Sequence, residues 1–286
     1  MTGAVSITHT GSANVAIDNG TTALNLGTIS VGKDFEARSG AVISDSGVIT
    51  VTRDATFVTD ANDIDIVLDS NNAITGAVTF TTQTGGSNGA DITFDNGSTA
   101  MSLAAFTTEG NLTLQTDAAI ALTGHTVNGN LAVTSAGAIS QSAALTVSGT
   151  SSFTSTGNDN NITLSTDSNS LTGAVSASTV GSSGDITIDN GTRALNIGTL
   201  TANGDLSIRG GNGITDSGVI TVAGTSLFHS DVSGQVITLD QTNAMTGAVS
   251  ITHTGSANVA SDNGTTALNL GTVSVGQNFE ARSGAC

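Results

Sequence analysis

The feature that most restricts this chain is that it repeats itself. Residues Met1 to Ala41 return at Met245 to Ala285 with a shift of 244, and only four positions differ: Ile17/Ser261, Ile29/Val273, Lys33/Gln277 and Asp34/Asn278. A second shift of 171 carries DNGTTALNLGT from Asp18 onto DNGTRALNIGT from Asp189, and SDSGVITV from Ser44 onto TDSGVITV from Thr215. The tetrapeptide TGAV starts at Thr2, Thr75, Thr172 and Thr246, and a related TGHTVNG starts at Thr123. These intervals are near multiples of about 24 residues, the size at which a repeat is one supersecondary unit.

A finer cassette runs Gly, polar residue, then alternating apolar residues: GNLTL at Gly110, GNLAV at Gly129, GTSSF at Gly149, GDLSI at Gly204 and GTSLF at Gly224. Leu112 and Leu114, Leu131 and Val133, and Leu206 and Ile208 fall on one parity, which is the period of a strand. Between strands stand Asn-Gly pairs at Asn19, Asn88, Asn96, Asn128, Asn190, Asn203 and Asn263, read as corners in left-handed backbone. Asn-Gly also favours hairpins, but hairpins need no fixed period, whereas a coil returning over itself does. With 0 Pro, 0 Trp, 0 Tyr and 8 Phe, the chain lacks the bulk for an ordinary globular core. Three Glu and 6 Lys plus Arg leave little to build surface helices. The expected fold is all-β, a parallel β-helix (β-solenoid) with coils of about 19–24 residues, thin aliphatic cores, and Phe35, Phe57, Phe80, Phe94, Phe106, Phe153, Phe228 and Phe279 in wider corners. Residues 1–286 read as one continuous solenoid fragment of roughly 12 to 14 coils, on the order of 60 Å long at about 4.8 Å per coil.

A formal charge of −17 disfavours nucleic acid and anionic membrane as partners. The single Cys286 permits no internal disulfide. Thr2 follows Met1 with no basic or apolar leader, and no apolar run approaches the roughly 20 residues of a membrane helix. Because the first and last segments are copies, the unit is expected to continue in tandem, with Cys286 an added thiol where the first copy has Val42. Open coil ends then predict head-to-tail self-association.

The segment GNLTLQTDAAIALTGHTVNGNLAVTSAGAIS, from Gly110 to Ser140, resembles the coils of filamentous haemagglutinin and related large exoproteins exported by two-partner secretion. The likeness is best over Gly110 to Ser155 and Gly204 to Phe228. It implies a right-handed β-helix shaft of a bacterial adhesin, extracellular or on the cell surface, and no catalytic residues. The family's N-terminal secretion domain is not among the matched residues.

Asp63, Asp65 and Asp69, at i, i+2 and i+6, would share one face of a strand and suit calcium or polysaccharide cleavage. Their counterparts at the shift of 171 are Gly234, Val236 and Asp240, so the trio reads as a solvated face. The stretch GGSNGADITF from Gly85 is one residue too long for the calcium nonapeptide and occurs once, so it reads as a turn. His9, His125, His229 and His253 show no metal spacing and read as exposed strand or corner residues. Gly210-Gly211-Asn212-Gly213 lacks a phosphate-loop pattern. Arg38, Arg209 and Arg282 occupy equivalent positions and read as bridges to neighbouring acids. Asn-x-Ser/Thr triplets at Asn19, Asn96, Asn111, Asn161, Asn190 and Asn263 are glycan acceptors in form.

The sequence therefore yields no catalytic, cofactor or metal residues and predicts no enzyme. The expected role is a structural shaft in a large repetitive bacterial surface or secreted adhesin, whose partners are host or surface glycans or neighbouring repeats. The alternatives are a β-helix polysaccharide-active enzyme and a carbohydrate- or surface-binding module. An ice-type binder would repeat Thr-x-Thr at constant phase, and Thr8-His9-Thr10, Thr50-Val51-Thr52 and Thr79-Phe80-Thr81 do not.

Overall fold

The computed structural model describes residues 1–86 and 89–284. The Asn88 corner, two positions of the calcium-like stretch and Cys286 fall on residues outside that set. The described residues contain strands, turns and bends and no helix. The strands pair in parallel and stack as a β-solenoid of about 14 turns. No helix is long and apolar enough to cross a membrane among the described residues.

The chain falls into two compact units, Met1–Ala136 and Gly137–Cys286. In the first, Val15–Asp18, Phe35–Ser39, Ala55–Asn62, Ala77–Gln83 and Ser102–Leu103 lie side by side in chain order. A second sheet of the same unit stacks Ile66–Leu68, Ile92–Asp95, Leu112–Thr116 and Leu131–Ser135. In the second unit, Ile139–Ala143, Ile162–Leu164, Ile186–Asp189, Leu206–Arg209, Ser226–Ser230, Ala248–His253 and Asn269–Ser274 form one stack. One coil takes 19 residues where Leu112 pairs with Leu131. It takes 26 where Ile66 pairs with Ile92, so the upper bound of 24 was too tight.

Register explains the composition. Where Phe57 pairs with Phe80 large residues stack coil on coil, but at several positions a large residue on one coil faces a small one on the next. Phe35 pairs with Ala55 while Ala37 pairs with Phe57. Likewise Ser151 and Phe153 sit beside Val175 and Ala177. Ser226 is 2% exposed at a position where Leu206 and Val249 are its neighbours, and Phe228 two residues on restores the volume. Six phenylalanines are buried, and they lie within strands rather than in the corners expected from sequence. Phe106 and Phe279 are only partly covered.

Candidate functional site

The chemistry-bearing side chains of this fold are spent on holding one coil to the next. The cassette shows how. In the first unit Asp65 Oδ1 accepts the N–H of Asp91 (2.9 Å), Asp91 Oδ1 that of Asn111 (2.6 Å), and Asn111 Oδ1 that of Asn130 (2.8 Å). The second unit repeats the ladder from Asn161 to Asp185 to Asp205 to Thr225, at 2.8, 2.8 and 2.7 Å. The Asp or Asn of these ladders thus satisfies the backbone one coil on. Its preceding glycine is needed for close approach: a Cβ on Gly110 would lie 2.3 Å from Asp91 Oδ1, and one on Gly224 2.3 Å from Asp205 Oδ1.

A second device joins the two commonest motifs. In three of the four Asp-Asn-Gly copies the Asn turns its side chain inward and grips the residue that precedes TGAV one coil earlier. Asn96 Oδ1 accepts the N–H of Ile74 (2.9 Å) and its Nδ2 donates to Ile74 O (3.0 Å). Asn190 does the same to Leu171 at 2.8 and 3.1 Å, and Asn263 to Met245 at 2.8 and 3.0 Å. All three asparagines are 0% exposed. Each Nδ2 also donates to a carbonyl of its own loop, as Asn190 does to Ala194 O (2.6 Å). The Asp of the motif accepts the N–H of its glycine at 2.7–2.8 Å. Only that glycine adopts positive φ, +51° at Gly97, +60° at Gly191 and +53° at Gly264; the Asn does not, contrary to the sequence reading of a left-handed Asn-Gly corner.

A third device lies three residues before TGAV. Asn72 Oδ1 accepts the N–H of Ile49 (2.8 Å) while its Nδ2 donates to Asp45 Oδ2 (2.8 Å). Asn243 binds Ile220 and Asp216 at the same two distances. Asn169 holds the N–H of Leu145 at 2.9 Å but donates to Gln141 Oε1 in place of an aspartate. Burial raises the pKa of Asp45 and of Asp216, each against the lowering effect of its Asn partner. Burial raises Asp95 as well. Sequence reading missed these asparagines as interior residues. Their signal was on the page: Asn72, Asn169 and Asn243 all stand three positions before a TGAV threonine.

Candidates from sequence meet different fates. Asp63, Asp65 and Asp69 do not share a strand face; they flank the three-residue strand Ile66–Leu68, with Asp63 in left-handed backbone at φ +57°. The counterpart Gly234 has φ +84°, which explains why an acid and a glycine exchange there. Asp63 Oδ1 accepts the N–H of Gly89, and Asp69 N–H donates to Asp45. In the calcium-like stretch Asp91 belongs to the cassette ladder. No group of three or more His, Cys, Asp or Glu is placed to hold a metal among the described residues. Gly210-Gly211-Asn212-Gly213 forms a turn closed by Gly213 N–H to Gly210 O (3.2 Å).

The histidines correct the sequence reading most. His125 is 1% exposed and His253 4% exposed, with neither ring nitrogen of either hydrogen-bonded. His125 packs against Phe106 with ring centroids 4.6 Å apart and planes tilted by 49°, and burial lowers its pKa to about 4. His229 is accessible and pairs through Nε2 with Asp231 Oδ1. Arg209 bridges Asp189 (2.8 Å) and Asp231 (2.5 Å), and Arg38 reaches Asp60 (2.6 Å). Arg282 pairs with Glu280 (2.5 Å). Of the six glycan-type triplets, those at Asn96, Asn190 and Asn263 are closed to any enzyme by burial.

These motifs set the phase of a family repeat. The family described as Repeats of unknown function (DUF5649) matches residues 12–81, 109–178 and 183–252, more than half of the chain. The chain belongs to this family. Each match holds its buried asparagine, Asn72, Asn169 or Asn243, at the same offset from its first residue, so the DUF5649 repeat has a fixed phase relative to the asparagine clamp. No curated protein and no solved structure matches the chain.

Proposed function

We propose that this chain is a structural segment of shaft in a large, repetitive bacterial surface or secreted adhesin of the filamentous haemagglutinin type, with no enzymatic activity of its own. One observation carries the reading: acids and amides that in an enzyme would face a substrate are engaged by backbone N–H groups of the next coil, in the same pattern in both units. A carboxylate that accepts a backbone proton at 2.6–2.9 Å and repeats coil after coil is a structural acceptor. In this role the repeat spaces an adhesive tip from the cell, its partners are neighbouring repeats or surface glycans, and its place is outside the cell.

Incubation with a panel of acidic and neutral glycans is the direct test. Background turnover is expected, together with lower thermal stability for Asp65→Ala. Reproducible cleavage that Asp63→Ala and Asp65→Ala abolish, in variants that still melt cooperatively, would overturn the proposal in favour of a polysaccharide-active β-helix.

A further inference from the structure

The clamping asparagines carry a covalent liability. In an Asn-Gly pair the glycine nitrogen, with no Cβ beside it, can attack the side-chain carbon Cγ. A new C–N bond closes a five-membered succinimide, the Cγ–Nδ2 bond breaks, and ammonia leaves with the amide proton. Water then opens the ring to aspartate or isoaspartate, the latter with one extra carbon in the backbone. The reaction needs only water.

At Asn96-Gly97, Asn190-Gly191 and Asn263-Gly264 the folded coil obstructs each requirement. The attacking N–H is donated to the preceding aspartate at 2.8, 2.7 and 2.8 Å. The side-chain amide is fixed at both ends, Oδ1 by a backbone N–H and Nδ2 by carbonyls on two coils. At 0% exposure no water reaches Cγ. Asn212-Gly213 is the internal comparison: Asn212 is exposed and its side chain enters no clamp.

We propose that the three buried pairs are latent succinimide sites, held unreacted by the closed coil and released when it opens, so that a long enough opening becomes permanent. Permanence follows from the donor inventory. Aspartate has no Nδ2 to give to Ile74 O, Leu171 O or Met245 O, and it sets a carboxylate against those carbonyls. Conversion in the native state then runs at the rate of the open chain multiplied by the open fraction.

The test holds the intact chain at pH 8, native and in concentrated urea, and follows each site by peptide mapping that separates aspartate from isoaspartate. Native rates at Asn96, Asn190 and Asn263 are expected at least about tenfold below their urea rates, the factor that ~1.4 kcal/mol of local opening supplies. Asn212 is expected to change by less than about threefold. Chains aged in urea should lose refolded β-structure in proportion to the converted asparagine, and freshly prepared Asn190→Asp should refold less completely than wild type. Equal native and urea rates at the buried sites would overturn the protection. Full refolding of converted chains, or of Asn190→Asp, would overturn the permanence.

Discussion

The two units share a polar frame and differ in what fills it. In Met1–Ala136 the rings of Phe35, Phe57, Phe80 and Phe94 run in contact with centroids 5.5–6.1 Å apart, and a branch from Phe80 runs through Phe106 to His125. In Gly137–Cys286 the buried rings Phe153 and Phe228 stand among aliphatic side chains, and an Arg209, Asp189, Asp231 and His229 cluster binds coils from outside. The Asn72 and Asn243 clamps nevertheless agree to within 0.1 Å in both of their hydrogen bonds. Buried amides demand directional partners and tolerate little substitution, whereas a slot of given volume accepts several apolar combinations. The Oδ1 half of the clamp, kept at Asn72, Asn169 and Asn243, is therefore the constant of the repeat, while the filling and the Nδ2 partner vary.

The largest expected effect breaks the filling. Phe57→Ala removes a fully buried ring from the middle of the row and is expected to cost about 4 kcal/mol in urea unfolding. Phe228→Ala opens a similar cavity but ends no ring contact, so its cost should be smaller by about 1 kcal/mol. Equal costs would mean that the row is packing and nothing more.

Next comes pH. His125 titrates at about 4 in the folded chain because burial disfavours its charge. Unfolded, its value returns to about 6.5, so the unfolded state takes the proton first. Stability is whole above pH 6.5, declines as pH falls from 6.5 to 4, and levels off below; the full loss is about 3 kcal/mol. Asp45, Asp95 and Asp216 act oppositely, since burial raises their folded values and makes acidification favour the fold. Comparing wild type with His125→Leu separates the ring from these acids. The variant should flatten the unfolding profile between pH 6.5 and 4, and an unchanged slope would assign the dependence elsewhere.

The third effect addresses the frame. Asn72→Ala and Asn243→Ala each strand a buried N–H, of Ile49 or Ile220, and leave Asp45 or Asp216 one donor short. A cost of about 2 kcal/mol is expected for each, the same within error, because the geometry is the same. A large difference between the two variants would show that the frame is not the constant of the repeat.

How much of this could be read in advance follows the same division. Strand parity was legible because Leu112, Leu114 and their like obey a period set by backbone geometry alone. The parallel stack was legible because the repeat length is a property of the sequence. Burial of polar groups was not, since composition assigns Asn and His to the surface and only register reveals that Asn96 lies inward or that His125 meets Phe106. The shared face expected of the acid trio fails because i, i+2 and i+6 share a face only in an unbroken strand, and Asp63 follows the end of one strand at Asn62 while Asp65 precedes the next.

The smallest effect concerns the outer face. Arg209 reaches acids on the coils before and after its own, Asp189 at 2.8 Å and Asp231 at 2.5 Å, and both contacts raise its pKa, that with Asp189 foremost. Asp231 is pulled the other way: burial pushes its carboxyl up, but Arg209 and His229 together bring it below the usual value. Arg38, the equivalent position in the first unit, has one short partner, Asp60, with Glu36 at 3.7 Å. Each guanidinium is more than a third exposed, so solvent screens most of the attraction. Arg209→Ala is expected to cost under about 1 kcal/mol and Arg38→Ala about half of that. Both costs should shrink between 0.1 and 1 M salt as the screening length falls from about 10 to 3 Å. A loss at Arg209 that persists in high salt would place its contribution in the alkyl stem packing along the strand rather than in charge.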